Sequence, residues 1–297
     1  MSESQQAKLM RRATYASVSV AFTLIVIKLV AFIMTGSVAL LTSLVDSALD
    51  SLASVLNFIA VRHALEPADE EHRFGHGKAE PLAGLGQAAF IMGSSIFLIV
   101  EAINRLFNPQ ELQHTDIGIA VMLISLAVTI CLVLYQRYVV RKTGSLAIQA
   151  DSIHYFSDIA VNVGVIIALL LTSTFGWGLA DPLFALTIAI YIIYSAWKIV
   201  KQSLDQLMDR ELSDEEREQI EKILQAHPGI ANHHDLRTRA SGKDIFIQAH
   251  VEMDATLSLL KAHEIVEAAE EKLQQVFPTA DIIIHQDPVH NLNGVRS

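Results

Sequence analysis

Residues 43–54, SLVDSALDSLAS, decide how this sequence is interpreted, because they place Asp46 and Asp50 four residues apart within an apolar segment. That segment, residues 37–64, is long enough to cross a bilayer as a helix, and residues i and i+4 share one face of a helix. A charged side chain at bilayer depth costs at least ~2.5–3.5 kcal/mol, and neighbouring carboxylates also repel each other. The pair therefore predicts a site where a cation compensates the negative charge of the two carboxylates.

A second pair of the same spacing, His154 and Asp158, lies in the apolar segment 145–173. Two helices that bring both pairs together would offer three carboxylates and one imidazole. This is a tetrahedral donor set for a borderline divalent ion such as zinc. We therefore expect Asp46, Asp50, His154 and Asp158 to form a metal site inside the membrane.

Composition assigns the chain to the polytopic membrane proteins. Of its 297 residues, 52% are hydrophobic and 18% are charged, and the mean hydropathy is +0.38, above that of a soluble domain. The predicted transmembrane domain, residues 1–208, contains six apolar segments near the ~20 residues that span a bilayer. These segments are residues 13–34, 37–64, 81–107, 117–140, 145–173 and 180–207. The single cysteine, Cys131, excludes a disulfide framework and a thiolate metal site.

The charge distribution predicts the orientation and excludes one class of partner. Basic residues precede the first segment and fill the second and fourth connections, whereas the opposite side offers only Arg105. The positive-inside rule therefore places both termini in the cytoplasm. The net charge is −10, with 17 acidic and nine basic residues from Asp209 onward. This balance argues against nucleic acid and suits cations, although it is also ordinary for a soluble cytoplasmic domain.

Two features of the first apolar segment have simple interpretations. No small-residue cleavage site follows it, so we expect a retained helix and not a signal peptide. Lys28 lies inside this segment, where it could be functional. We expect it instead to extend its amine toward the outer headgroups, as lysines near helix ends commonly do.

The connection between the second and third segments contains PADEEHRFGHGK at residues 67–78. Within it, Asp69, His72 and His76 have the spacing of a one-turn metal clip, and glycines on both sides of His76 let the backbone fold around an ion. Short loops rich in Asp and His are also common without metal. The spacing alone leaves both interpretations open.

After residue 208 the pattern changes to that of a soluble domain, which we expect at residues 209–290, with a C-terminal tail at 291–297. Ser213 and Glu216 form a capping box that starts a helix. Two alternating stretches, a second amphipathic helix and a last strand follow. The order αββαβ predicts a small α/β domain with its helices on one face of a sheet.

Histidines lie at or near the ends of several elements of this domain, together with one carboxylate. The set is His234, His250, His263, His285 and Asp287. Such residues on separate elements are a recurrent way to build a metal cluster, and a set of surface histidines is the alternative. Both remain open on the residues alone.

Taken in order, these motifs resemble those of the cation diffusion facilitator family, in its bacterial zinc and ferrous-iron efflux branch. The resemblance covers about residues 11–289. It rests on GSVALLTSLVDSALD (36–50), PADEEHRFGHGKAEPLA (67–83), ADSIHYFSDIAVN (150–162), HDLRTRASG (234–242) and IIIHQDP (282–288). It implies that the intramembrane quartet is the transport site and that Asp69, His72 and His76 form a second site. It also implies that the soluble set is binuclear, with Asp287 bridging two ions.

The resemblance further implies a homodimer whose soluble domains resemble metallochaperones. Lys78 and Asp209 would form a charge pair near the membrane surface that helps to hold the dimer together. His233 stands beside His234 in this sequence, which leaves open which of the two binds metal.

We therefore expect a transporter of the bacterial inner membrane that exports Zn²⁺, and also Cd²⁺ or Fe²⁺, in exchange for protons. Metal and protons compete for the same ligands, and no Gly-x-x-x-x-Gly-Lys-Ser/Thr motif provides for ATP. No organic cofactor is expected. An enzyme is not expected either, because four protein ligands leave no open position on the ion.

Two other functions remain as alternatives. A metal-gated channel would need a continuous polar stripe through the bundle, whereas the strongly polar residues concentrate at one depth. A membrane-anchored metal sensor would leave the costly intramembrane quartet unexplained.

Overall fold

The computed structural model describes residues 3–36, 38–107, 116–175 and 179–289, so the predicted tail at 291–297 lies outside the described residues. The chain divides between Leu204 and Asp205 into two compact units. The first unit consists of long apolar helices. The second is the small α/β unit.

Among the described residues, the first unit contains six long helices, the last of which ends three residues past the boundary. They are α1 (Glu3–Thr35), α2 (Val38–Ala64), α3 (Ala79–Phe107), α4 (Asp116–Thr143), α5 (Leu146–Phe175) and α6 (Ala180–Leu207). Five of these bounds lie within three residues of the predicted segments. Helix α1 instead begins ten residues early, because residues 3–12 are mostly good helix formers that continue the helix beyond its apolar part.

By length and composition, five helices of the described part of the chain can cross a membrane, namely α1, α2, α3, α4 and α6. Helix α5 has 30 residues, and its first half contains the polar residues Asp151, His154 and Asp158. The helical membrane unit is therefore confirmed.

Helix α5 lies at the centre of the bundle and packs against α1, α2, α3 and α4. It meets α3 and α6 through a buried cluster that includes Ala88, Ala150 and Ala196. At Gly164 a Cβ atom would lie 2.7 Å from Ile188 Cδ1 of α6, so the glycine leaves room for this side chain. Small residues thus allow α5 to be surrounded by other helices.

The second unit has the predicted order αββαβ, which confirms the expected α/β domain. Its elements are α7 (Asp214–Gln225), β1 (Asn232–Ser241), β2 (Asp244–Met253), α8 (Leu259–Val276) and β3 (Ala280–Pro288). The capping box forms, because Ser213 Oγ accepts the Glu216 N–H and the Glu216 carboxylate accepts the Ser213 N–H. Strand β2 is central, antiparallel to β1 and parallel to β3.

The two faces of the sheet differ in composition because side chains alternate along a strand. In β2, Ile247, Ala249 and Val251 are buried against α7 and α8. The intervening residues, which include His250 and Glu252, therefore belong to the face that the two helices leave uncovered. This face also carries His234 and His285, which lie opposite His250 on the neighbouring strands.

Candidate metal sites

The centre of the helix bundle brings together three of the four predicted intramembrane ligands. One ligand atom each from Asp50, His154 and Asp158 lies within 4.8 Å of the other two. His154 Nε2 is 3.1 Å from Asp50 Oδ1, and the histidine side chain is only 6% exposed. This nitrogen makes no hydrogen bond of normal geometry to the described residues. It is therefore available to a metal ion.

Asp46 lies one helical turn from Asp50 and is not part of this close set. It does line the same cavity of about 380 Å³ as Asp50, His154 and Asp158. The i, i+4 spacing thus puts both carboxylates of α2 on the face toward α5, as predicted. An ion bound by the three close residues would still be exposed to the charge of Asp46.

A second cavity, of about 250 Å³, meets the same carboxylates between α1, α2, α4 and α5. Its lining extends from Asp50 back to Ser43 along α2 and from Tyr155 on to Asn162 along α5. Because α2 and α5 run in opposite directions, both lead toward the end of the bundle where α1 joins α2. The smaller cavity thus extends from the carboxylates toward that end.

The prediction for Lys28 is wrong. Its Nζ donates to the Ser43 carbonyl at 3.2 Å and to Ser47 Oγ at 2.6 Å, and so points into the bundle and not toward headgroups. It lines the smaller cavity together with Asp46, Asp50 and Asp158. The physical reason is the local surplus of negative charge, which offers an internal partner for the amine. The sequence contained this signal in the two pairs of carboxylates.

A buried polar network, which the sequence analysis missed, lies on the other side of the set. Asp151 Oδ2 accepts hydrogen bonds from Ser17 Oγ and from Gln136 Nε2, the latter at 2.7 Å. Ser54 Oγ and the Tyr155 hydroxyl are 2.8 Å apart. Tyr155 and Asp151 are each only 1% exposed, so this network joins α1, α2, α4 and α5 where the cavity ends. The i, i+3, i+7 spacing of Asp151, His154 and Asp158 was the available signal.

The loop between α2 and α3 assembles its three predicted ligands, the loop set Asp69, His72 and His76, within 4.8 Å of one another. Asp69 Oδ1 accepts the backbone N–H groups of Glu71 and His72, which turns the chain back on itself. Gly75 has a φ of 76°, a conformation that favours glycine. The hydrogen bond from the His72 backbone lowers the pKa of Asp69, so this carboxylate is ionised near neutrality.

In the soluble unit, three histidines form one row across the sheet. His234 of β1 is opposite His250 of β2, which is opposite His285 of β3. Directly opposite residues share a face, and the ring centroids are 5.2 Å apart for the first pair and 4.7 Å for the second. Strand pairing therefore collects residues that lie far apart in the sequence.

Asp287 provides the carboxylate of this row. Its Oδ2 is 2.9 Å from His250 Nδ1 and 3.5 Å from His234 Nε2, whereas its Oδ1 is 3.4 Å from His285 Nε2. The hydrogen bond from His250 lowers the pKa of Asp287. With histidines near both oxygens, this carboxylate has the arrangement that a bridge between two ions needs.

The remaining predicted residues of this unit are placed differently. His234, and not His233, lies in the row, because alternation along β1 turns His233 to the opposite face. His263 lies exposed on α8, outside the metal-capable groups of the described residues. Asp209 accepts a hydrogen bond from Arg239 Nη1 at 3.2 Å. Its pairing with Lys78 stays a prediction.

Comparison with known proteins identifies relatives along most of the chain. Residues 14–208 match the profile "Cation efflux transmembrane domain", and residues 212–289 match "Cation efflux protein, cytoplasmic domain". The chain is 49% identical over 286 residues to the cation-efflux pump FieF of Serratia proteamaculans, covering 96% of this chain and 95% of that protein. It is 50% identical over 281 residues to FieF of Klebsiella pneumoniae, covering 95% and 93%.

A solved structure titled "Mode of Action of a Putative Zinc Transporter CzrB (Zn form)" also matches. It is 30% identical and covers 29% of this chain and 99% of its own, with a TM-score of 0.27. Another, the metal-bound C-terminal domain of the CzcD transporter from Thermotoga maritima, is 26% identical and covers 27% and 93%, with a TM-score of 0.25.

Proposed function

Because the chain belongs to the cation efflux family, the cation diffusion facilitators, as its motifs indicated, we propose that this cation efflux transporter exports Zn²⁺ in exchange for protons. Cd²⁺ and Fe²⁺ are further candidate substrates of the same site. A mixed set of carboxylates and one imidazole suits these borderline ions better than harder manganese.

One observation carries the proposal, namely the convergence of Asp50, His154 and Asp158 within 4.8 Å at the centre of the bundle. Ionisable residues at this depth are costly and mark ion pathways. Asp46 lines the same cavity and completes the four candidate ligands of the transport site. Four protein ligands leave no vacant position for a hydrolytic water, so the site suits transport and not an enzyme.

The buried network supports a carrier over a channel. Two cavities adjoin the transport site, and the smaller one ends at the buried network of Asp151, Tyr155 and Gln136. The proposed orientation has both termini in the cytoplasm of a bacterial inner-membrane protein, so the cavity extends toward the exterior and the network closes the inner side. A carrier alternates between this arrangement and one in which the inner side is open.

Proton exchange follows from the chemistry of the ligands. Carboxylate and imidazole must be deprotonated to bind metal, so zinc and protons compete for the same side chains. Among them, histidine is the side chain whose charge changes most easily near neutrality, which makes His154 the principal proton carrier. A more acidic exterior reprotonates the set and helps to release the ion.

The soluble unit acts as a metal-dependent regulator of a homodimer. Its row His234, His250 and His285 with Asp287 binds zinc, and His263 contributes from outside this row. Metal favours one arrangement of the two soluble units because it binds that arrangement more tightly. Lys78 and Asp209 form a charge pair that stabilises the dimer, and the loop set Asp69, His72 and His76 is a further zinc site.

Proteoliposomes that contain a proton-sensitive dye test the exchange. Zinc is added outside under inward, outward and abolished pH gradients. We expect zinc uptake to follow the gradient and to be accompanied by proton movement in the opposite direction. Zinc flux that ignores the gradient and moves no protons would refute the exchange and favour the channel.

A further inference from the structure

His63 and Glu66 lie beside the loop set but belong to none of the sites described so far. His63 is in the last turn of α2, and its Nδ1 lies 2.9 Å from Glu66 Oε2. Its ring centroid is 4.4 Å from that of His76, which is 4.5 Å from that of His72. His76 therefore lies between two imidazoles.

One nitrogen of His76 has no hydrogen-bond partner in the part of the chain that the structure describes. Its side chain is only 4% exposed, and its Nε2 lies 3.4 Å from Asp69 Oδ2. The Nδ1 atom is buried and has no hydrogen-bond partner among the described residues. Such an atom is costly to bury unless something occupies the position beside it. One ligand atom each from His63, Glu66 and His76 lies within 4.8 Å of the other two.

We propose that His63, Glu66 and His76 form a second divalent-cation position, which shares His76 with the loop set. Two imidazoles and one carboxylate are donors that zinc accepts, and three protein ligands leave the fourth position to water. The inference rests on the proposed role of the loop set as a metal site. It adds two ligands, His63 and Glu66, to the metal chemistry of that loop.

The exposure of these residues shows how an ion reaches the position. The side chains of His63 and Glu66 are 51% and 50% exposed, much like those of His72 and Asp69 at 53% and 52%, whereas His76 is buried. An ion from solution therefore reaches either set directly. His76 is the ligand that both sets have in common, so the two positions are adjacent sites at one loop.

A simple ion pair at the end of α2 would account for the His63–Glu66 contact alone. It would not account for the position of the His63 ring against His76, nor for the unpartnered nitrogen. The two explanations differ in whether His63 and Glu66 bind metal when Asp69 and His72 are removed.

The test uses the full-length protein in detergent, with Asp50→Ala and Asp287→Ala introduced to weaken the other sites. Asp69→Ala and His72→Ala are then added, and Co²⁺ binding is titrated by its visible absorption. We expect one Co²⁺ beyond that bound by a reference protein that also carries His76→Ala. Adding Glu66→Gln or His63→Ala should weaken this binding about tenfold or more.

Glu66→Gln is isosteric at a half-exposed residue, so loss of folding does not confuse the result. The inference is wrong if His76→Ala leaves the number of bound Co²⁺ ions unchanged in this background. It is also wrong if neither His63→Ala nor Glu66→Gln changes the affinity for Co²⁺. Both outcomes concern equilibrium binding at the loop. They are therefore distinct from failure of the proposed transport, which is measured as zinc and proton flux in proteoliposomes with the natural sequence.

Discussion

Replacing Lys28 by Met should tighten zinc binding at the transport site, because it removes a positive charge from the cavity that the metal ligands line. Met has a similar length and no charge. Lys28 Nζ is held by Ser43 and Ser47 and cannot turn away from the cavity without breaking both hydrogen bonds. A bound ion and the Lys28 ammonium therefore repel each other across a fixed distance.

The size of the cavity gives the magnitude. A volume of about 250 Å³ corresponds to a sphere roughly 8 Å across, and at this distance two unit charges interact by about 2 kcal/mol at an effective dielectric constant of ~20. A divalent ion doubles this repulsion. A proton taken up by the carboxylates when Lys28 is absent offsets about half of the gain. Allowing for water in the cavity, we expect zinc affinity to rise about 10- to 30-fold.

The assay is a competition titration with a zinc-binding dye at neutral pH, on full-length protein in which Asp287→Ala and Asp69→Ala weaken the other sites. Lys28→Arg is the matched control, because it keeps the charge and changes the shape. Transport should slow at saturating zinc, since tighter binding delays release. Equal zinc affinity in the natural protein and in Lys28→Met would refute the electrostatic argument. An equal rise in zinc affinity in Lys28→Arg and Lys28→Met would refute it as well.

Three further predictions concern the other sites. Asp158→Ala should abolish zinc flux in proteoliposomes and leave a folded protein, because it relieves repulsion between carboxylates; full flux would remove Asp158 from the transport site. Asp287→Asn should weaken zinc binding to the histidine row at neutral pH. The hydrogen bond from His250 holds the pKa of Asp287 below its ordinary value of 3.8, so the variant loses a negative charge that is present at neutral pH; equal zinc affinity of the two proteins in a competition titration at neutral pH would contradict this. Tyr155→Phe removes a buried hydrogen bond to Ser54 and should lower the free energy of unfolding by about 1 kcal/mol. The control in thermal unfolding is Tyr191→Phe, because Tyr191 is exposed. Equal shifts of the unfolding temperature in the two variants would show that the buried network adds no stability.

Much of the fold and of the candidate site inside the helix bundle could be predicted from the sequence, because both depend on periodicities that the chain carries locally. Apolar length predicted the helices, and i, i+4 spacing placed Asp46 and Asp50 on one face. Alternation predicted the strands of the soluble unit. Each of these signals needs only the rise and repeat of a regular element.

The remainder depends on contacts between elements that no local pattern contains. The direction of Lys28 is determined by the carboxylates that α2 and α5 bring near it. The choice of His234 over His233 depends on which face of the sheet the helices cover. The approach of His63 to His76 depends on how residues 65–78 fold back over the end of α2. Sequence spacing gave no reason to expect that approach.

The row of histidines across the sheet has a consequence for the lifetime of the protein. His234, His250 and His285 come from three different strands, so the row exists only while all three strands are paired. Any ion bound there stabilises the paired sheet by mass action, by about 2.7 kcal/mol at a free concentration 100 times the dissociation constant. Proteases degrade the open form of a domain in proportion to its population. Zinc supply should therefore set the turnover of the transporter, so that starved cells clear the idle exporter and zinc-replete cells retain it.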